Sequence, residues 1–276
     1  MPSIIVITIH YGPEDQLLRT YRSIIAHLPK PWLKKYLIYD SNPCPCQHLA
    51  QDSPKILYFS CQPKQGISRA LNEATRLAFA EGSQSDYITY IHSGDTIVST
   101  NDDAIHSHLD KVCNRFFTTP PIVFSSWYLG NECDGFVLRH PKPEKLIRGM
   151  HVSHIGTLIP LSFHAMGYLY DPTYAYAMDY KYFTTCLLLD HSNSISIPDF
   201  IVAQVNDDGI SSANGIKALI ELHKARTEAN LFNPTTRLIL LMLSVVTNRI
   251  GHILRLLMGK RTGNYLIATA KSLIKP

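Results

Sequence analysis

The chain opens on an unbroken apolar run, Ser3–Ile9 (SIIVITI), of a length that suits a strand covered on both faces. Pro13 then starts a helix with Glu14 and Asp15 in its first turn, where the macrodipole favours acids. Leu17, Leu18, Tyr21, Ile24, Ile25 and Leu28 recur along one face of it. "KYLIYD" predicts a second strand ending on Asp40, followed by a Ser-Asn-Pro-Cys-Pro loop, and "KILYF" (55–59) a third. Ile67, Ala70, Leu71, Ala74, Leu77 and Ala78 mark a second amphipathic helix, which leads into a fourth strand at Tyr87–Ile91. This β-α-β-β-α-β order predicts an α/β fold whose parallel strands are joined by crossovers.

Past residue 100 the pattern loosens. It predicts a helix over about 102–113, strands near 121–128 and 135–139, and a helix near 177–189. Strands near 194–205 and a helix near 214–229 follow.

Two acids stand just past strands, Asp40 and, in "SDYITYIHSGDTI", Asp95. In open α/β sheets ligands bind outside the carboxyl ends of the strands. Gly and Asp are also ordinary turn residues, so the local pattern alone leaves both uses open.

Composition narrows the class. With 45% hydrophobic and 17% charged residues, the 276-residue chain is globular, as one large domain or two smaller ones. Its net charge of +4 is unevenly spread: residues 235–276 hold seven basic residues and no acid, leaving −3 for residues 1–234. That distribution argues against a nucleic-acid-binding surface. Met1–Ile9 lacks the basic start and cleavage site of a signal peptide, so a cytoplasmic chain with reduced thiols is expected. The six cysteines include no C-x-x-C pair. Cys44, Cys46 and His48 are close in sequence, and are read as loop residues because a fourth metal ligand is missing.

Four blocks stand in order across about residues 3–212: "VITIHYGPEDQLLRTYRSI", "LIYDSNP", "GISRALNEATRLAFAEGSQSDYITYIHSGD" and "HVSHIGTLIPLSFHAMGYLYDPTYAYAMDYKYF". Together they resemble glycosyltransferase family 2. The resemblance implies the A-type, Rossmann-like fold of nucleotide-diphospho-sugar transferases, with a mixed central sheet and here a C-terminal helical tail. It implies a catalytic domain over 1–232, with a nucleotide-sugar half of about 1–100 and an acceptor half of about 101–232, then a tail over 233–276. The donor would be bound by Thr8, His10, Tyr11, Asp40, Gly66, Asn72, Ser93 and Asp95. Asp95 would hold a divalent metal (Mg or Mn), and Asp179 would be the catalytic base. His154 and Met178 would line the acceptor or diphosphate side, and Asp207–Ser211 resemble a late loop that closes near the donor phosphates. The chain departs from the pattern at His10, Gly12 and Met178, and it keeps a single acid, Asp95, where the metal motif often has two or three.

The chemistry agrees with those residue types. A departing diphosphate is met by a cation held on hard oxygen ligands, and one carboxylate suffices when phosphates and water complete the shell. An attacking hydroxyl must give up its proton to a positioned base. A base opposite the leaving group implies inversion in one displacement. Read locally, Asp179 is equally an acid at a helix start, Asp40 a turn former and His154 a buried histidine.

The resemblance therefore implies an inverting transferase moving a sugar, UDP-linked by default, to a glycan or lipid-linked acceptor in bacterial surface-glycan assembly. The rivals are a non-catalytic nucleotide- or glycan-binding relative, a sugar nucleotidyltransferase and a membrane scaffold. A nucleotidyltransferase would want a glycine-rich basic first loop, which "TIHYGPED" is not.

The tail reads "LILLMLSVV" and then "TNRIGHILRLLMGKR", far short of the ~20 apolar residues that span a bilayer. As a helix it places Arg237, Ser244, Asn248, His252 and Arg255 in one stripe with apolar residues elsewhere. It would either lie on an anionic membrane surface, through 235–276, or pack on the domain or in a homodimer contact.

Overall fold

The structure, a computed structural model, describes residues 3–43, 45–61, 66–101, 120–189, 192–207 and 214–258. The helix expected at 102–113, Cys44, the loop 208–211 and the tail beyond 258 lie outside them.

The first half runs β1 (Ile4–His10), α1 (Glu14–His27), β2 (Leu33–Asp40), β3 (Ile56–Ser60), α2 (Ile67–Glu81) and β4 (Tyr87–Tyr90). It continues with β5 (Thr96–Thr100), β6 (Ile122–Phe124), β7 (Trp127–Asn131), β8 (Gly135–Arg139) and β9 (Ile159–Pro160). Then come α3 (Ser162–Ala165), α4 (Met178–Phe183), β10 (Ser194–Ser196), β11 (Ile201–Asn206), α5 (Gly215–Glu228) and α6 (Pro234–Met258). The described residues thus form a mixed α/β fold with several sheets.

The main sheet has the order β3-β2-β1-β4-β9, parallel except for β9, which runs against β4. Its strands alternate between two cores. Ile5, Ile7, Leu37, Tyr39, Ile88 and Tyr90 pack with Ala70, Leu71, Ala74 and Ala78 of α2. Ile4, Val6, Tyr36, Ile38 and Tyr87 pack on the other face with Leu17 and Ile24 of α1. Both faces are covered, which is why the strands read as continuous apolar runs. Asp86, just before β4, locks the opposite end of the sheet. Burial pushes its carboxyl up, but Lys34 at 2.6 Å and hydrogen bonds from Ser3 and Ser83 outweigh that and hold it at about 2.

The second half departs from the simple strand expectations. The apolar stretch near 121–128 is two strands in two sheets: β6 pairs with β10, and β7 with β11. The stretch near 194–205 divides likewise into β10 and β11. The break falls at Ser125 and Ser126, whose buried polar groups bond across to the matching break: Ser126 N–H donates to Pro198 O at 2.9 Å, and Ser125 Oγ accepts from Ile201 N–H at 3.3 Å. The helix near 177–189 is α4, followed by a wider π turn over Thr184–Leu189.

The tail helix α6 starts on Asn233, whose Oδ1 accepts the Thr236 N–H at 2.8 Å, with Pro234 in the first turn. It packs on α5: Arg237 donates to Thr227 O at 3.4 Å, and a Cβ at Gly215 would meet Asn248 Nδ2 at 3.0 Å. The stripe holding Arg237, Ser244 and Asn248 therefore faces protein. Leu238, Ile239, Met242, Leu243, Val246, Ile250 and Ile253, each about half exposed, cover one arc of about 140° on the outer side. Arg249 is also exposed and lies within that arc, while Leu240, Leu241 and Val245 are half-buried on the packed side, so α6 is apolar on both faces. Among the described residues no helix is long and apolar enough to cross a membrane.

Candidate functional site

Because β1 lies between β2 and β4, the carboxyl ends of three parallel strands open on one edge. His10 is the register partner of Asp40, and Ser93 follows β4 beside them. His10 Nδ1 and Ser93 Oγ are 2.8 Å apart, and both His10 and Asp40 are fully buried. Thr8, one turn of the pleat earlier, is occupied within the sheet: it donates to Ile91 O at 2.7 Å and accepts from Tyr36 OH at 3.0 Å. Tyr11 projects from the edge, 59% exposed. Gly66 caps the start of α2 with φ +83°, a backbone shape that favours glycine.

Asp40 organises the loop after β2. One carboxylate oxygen accepts from Asn42 N–H (2.8 Å) and Asn42 Nδ2 (2.9 Å), and the other from Cys46 N–H (3.1 Å) and Tyr58 OH. Asn42 in turn accepts the Gly12 N–H at 2.9 Å, so the loops after β1 and β2 are tied together. His10, Asp40 and Cys46 each bring a ligand atom within 4.8 Å of the others, a cluster able to coordinate a divalent metal.

Beyond β4 the His92-Ser93-Gly94-Asp95 turn is shaped by α1. Thr20 Oγ1 donates to Asp95 O at 2.7 Å and accepts from Gly94 N–H at 3.0 Å, while Gly94 takes φ +98°. Asp95 is 8% exposed, and its Oδ1 accepts the Asn206 N–H at 3.2 Å from the end of β11. The turn reverses the chain into β5 and places the Asp95 carboxylate at the sheet edge.

His92 and Asp179 belong to a second group, joined through His154. Gly156 N–H donates to Tyr90 O at 3.1 Å and Ile155 bridges Tyr90, which sets the 154–156 segment against β4. His154 Nε2 then lies 3.0 Å from His92 Nε2, and His154 Nδ1 lies 3.9 Å from Asp179 Oδ2. Tyr90 and Tyr170 flank His154 edge-on, with ring centroids at 5.6 and 6.3 Å. Burial lowers His92 to about 4 and, together with the neighbouring His92, holds His154 well below the usual histidine range. Both rings are neutral at pH 7, and one donates its Nε2 hydrogen to the other.

Asp179 sits in the first turn of α4, 28% of its side chain still open to solvent in an otherwise protein-walled recess. Desolvation dominates there and pushes the carboxyl up to about 6, against the Tyr180 N–H at 2.8 Å. The loop before α4 is held from two sides. Glu221 of α5 accepts the N–H groups of Ala175 (2.9 Å), Tyr176 (2.7 Å) and Ala177 (2.8 Å). Asn72 of α2 brackets Tyr170, donating to its O at 2.7 Å and accepting its N–H at 2.8 Å. Ser68 Oγ lies 3.1 Å from Met178 Sδ and 3.0 Å from Tyr174 O. Asn72 thus fixes the Tyr170 backbone, and Ser68 ties α2 to Met178 and Tyr174.

Glu221 and the pairing of His92 with His154 carry no local sequence signal. Glu221 reads as one more acid on an amphipathic helix, and only the fold brings residues 92 and 154 together. Asp207 is placed by Asn131 Nδ2 at 2.9 Å.

No family model matches the chain. No curated protein matches it in sequence. Solved structures do. Residues 1–349 of S. aureus TarS in complex with UDP-GlcNAc superpose with a TM-score of 0.61 at 9% identity, covering 92% of this chain and 81% of that one. The UDP complex of the same fragment gives 0.60 at 10% identity over 88% of this chain and 70% of that one. Against a longer TarS structure the score is 0.60 at 9% identity, covering 88% of this chain and 43% of that one. The chain is a distant structural relative of TarS and shares its fold.

Proposed function

We propose that the protein is a nucleotide-sugar-dependent glycosyltransferase of the A-type fold and family 2 pattern, inverting and metal-dependent. It takes a UDP-linked sugar by default and a glycan or lipid-linked acceptor. The observation that carries this reading is Asp179, a partly exposed carboxylate raised to about 6, in a fold shared with a protein crystallised with UDP-GlcNAc. A carboxylate of that basicity is largely ionised at pH 7 and close to the optimum for taking a proton.

In this reading the donor lies along the edge formed by β1, β2 and β4, with Tyr11 over it and the loops at Gly12 and Gly66 near its polar groups. Asp40 acts through Asn42 and the Gly12 loop, since its own oxygens are engaged in the turn. Asp95 fits a divalent metal of the Mg or Mn type: it is one buried oxygen donor at a strand end, and such ions take the rest of their shell from water and substrate phosphates. When bound, that ion would neutralise the charge growing on the departing diphosphate. Asp179 takes the proton of the acceptor hydroxyl as it attacks the anomeric carbon, and the bond to the diphosphate oxygen breaks on the opposite face. His154 stands behind Asp179, its Nδ1 3.9 Å from Oδ2, and the Tyr90, Tyr170 and Tyr182 rings keep water from that side.

The division into a donor half, an acceptor half and a tail beginning at 233 belongs to the same proposal. So does a peripheral place on the cytoplasmic face of a membrane. Support for the membrane comes from the outward apolar arc of α6 and the absence of any acid from 235 onward.

A thermal-shift panel of nucleoside diphosphates and their sugars, each with and without Mn²⁺, tests the reading. UDP and a UDP-sugar should stabilise the protein, more so with the metal. No shift with any nucleotide would contradict it.

A further inference from the structure

The buried cluster at the ends of β1 and β2 is separate from Asp95 and has a different chemistry. We propose that His10, Asp40 and Cys46 form a zinc site, with a nitrogen, an oxygen and a sulfur ligand, that fastens the loop after β2 to the end of β1. The proposal does not depend on the transferase reading.

Two observations point to a cation site. The first is the His10 ring. Nδ1 is occupied by Ser93 Oγ at 2.8 Å, while Nε2 is buried with no hydrogen-bond partner. With Nδ1–H donating to Ser93, Nε2 keeps its lone pair, as in a metal-bound histidine whose second nitrogen is held by an outer partner. The second is Asp40, fully buried with four hydrogen-bond donors but no cationic partner among the described residues. Its four donors offset much of the cost of burying that charge, and a bound cation would offset the rest.

The three residues supply three of the four ligands that zinc takes, leaving one position for water. The three ligand atoms lie within 4.8 Å of one another. Zinc bonds of about 2.0–2.3 Å place tetrahedral ligands roughly 3.3–3.8 Å apart, so closure takes movements on the order of 1 Å. Cys46 is 6% exposed and precedes the short 3-10 helix Gln47–Gln51, with its own N–H already on Asp40. The Tyr58 hydroxyl and Asn42 hold Asp40 as outer partners. A mixed N, S and O set suits a borderline-soft ion; Mg²⁺ and Ca²⁺ would want oxygen throughout. Binding converts Cys46 S–H to thiolate, forms the zinc–sulfur bond and releases the proton to solvent.

Co²⁺ is the probe. Full-length protein, first dialysed against a chelator, should take up Co²⁺ and develop a thiolate-to-cobalt charge-transfer band, which stoichiometric Zn²⁺ abolishes and excess Mg²⁺ does not. Cys46→Ser should lose the band, His10→Gln should weaken or lose it, and Cys61→Ser and Cys133→Ser should keep it. Zinc released by denaturing the wild type should approach one per chain. A wild-type protein that shows no band and retains no zinc overturns the proposal, whatever the variants do. A band that survives in folded Cys46→Ser overturns it as well.

Discussion

Nε2 of His92 lies 3.0 Å from Nε2 of His154, so two buried imidazoles share one hydrogen beside Asp179. The two rings cannot both be protonated without breaking that contact. Unfolded histidines take up a proton below about 6.5, whereas burial keeps His92 neutral down to about 4 and His154 lower than usual too. The folded state thus binds fewer protons than the unfolded one in this window, and stability falls as pH drops from about 6.5 through 4. His92→Asn should flatten that decline by up to about 1.4 kcal/mol per pH unit. Urea midpoints across the range read it directly, and parallel slopes for variant and wild type would show that the pair is not the cause.

Asp179 carries the opposite linkage. Its carboxyl, raised to about 6, keeps a proton in the folded state that the unfolded chain gives up near 4. Its ionisation therefore costs stability as pH rises from 4 to 6, and the cost persists above 6. Asp179→Asn should stabilise the protein at pH 7.5 by about 1–2 kcal/mol, a figure reduced for the exposed part of the side chain. The same group predicts an acidic limb in the transfer rate near pH 6. Destabilisation by the Asn variant, with a flat rate between pH 5 and 7, would remove both claims.

Much of the first hundred residues was legible because each apolar run served two cores at once. Ile4 and Val6 face α1 while Ile5 and Ile7 face α2, so the strand reads as SIIVITI with no polar alternation. The second half was less legible for a matching reason. Ser125 and Ser126 interrupt an apolar run at the point where the chain changes sheets, and the cost of their burial is met by partners at 198 and 201 that no local pattern shows. β9 is two residues long, below what periodicity resolves. In the site, Asp95 was visible from its place after a strand, but not its dependence on Thr20 and Asn206. Asp40 showed both its turn character and its position, and its four hydrogen bonds favour the turn. In the sequence Cys46 reads as a loop residue because its local trio with Cys44 and His48 lacks a fourth metal ligand. The residues beside it in space are His10 and Asp40, from two other segments, and His48 pairs instead with Glu14 at the surface.

Asp95→Asn keeps the size of the side chain and removes its charge. The hydrogen bond from Asn206 N–H survives on the amide oxygen, so the fold should be retained. Donor-nucleotide affinity should lose its dependence on Mn²⁺, with a loss of at least tenfold in saturating metal, about 1.4 kcal/mol. Calorimetric titration of UDP with and without Mn²⁺ measures this. Equal metal dependence in both proteins would move the ion elsewhere.

The outer arc of α6 makes a prediction that spares the packed face. Met242→Glu with Val246→Glu places two acids among exposed apolar residues and leaves Arg237, Ser244 and Asn248 against α5. Wild type should sediment with anionic vesicles more than with neutral ones and partly release as salt screens the basic tail. The double variant should remain in the supernatant with unchanged melting. If wild type ignores vesicles but is dimeric, and the double variant is monomeric, the arc is a contact between two copies.

The most direct measurement of the transferase reading is UDP release from a panel of UDP-sugars in the presence of Mn²⁺, compared between wild type and Asp179→Asn at matched donor saturation. Wild type should release UDP, faster when acceptor glycans are supplied, and the variant should bind the donor as well while turning over about 10² to 10⁴ times more slowly. Donor binding with equal turnover in both proteins would contradict the role of Asp179, and no binding of any nucleotide-sugar would contradict the account as a whole.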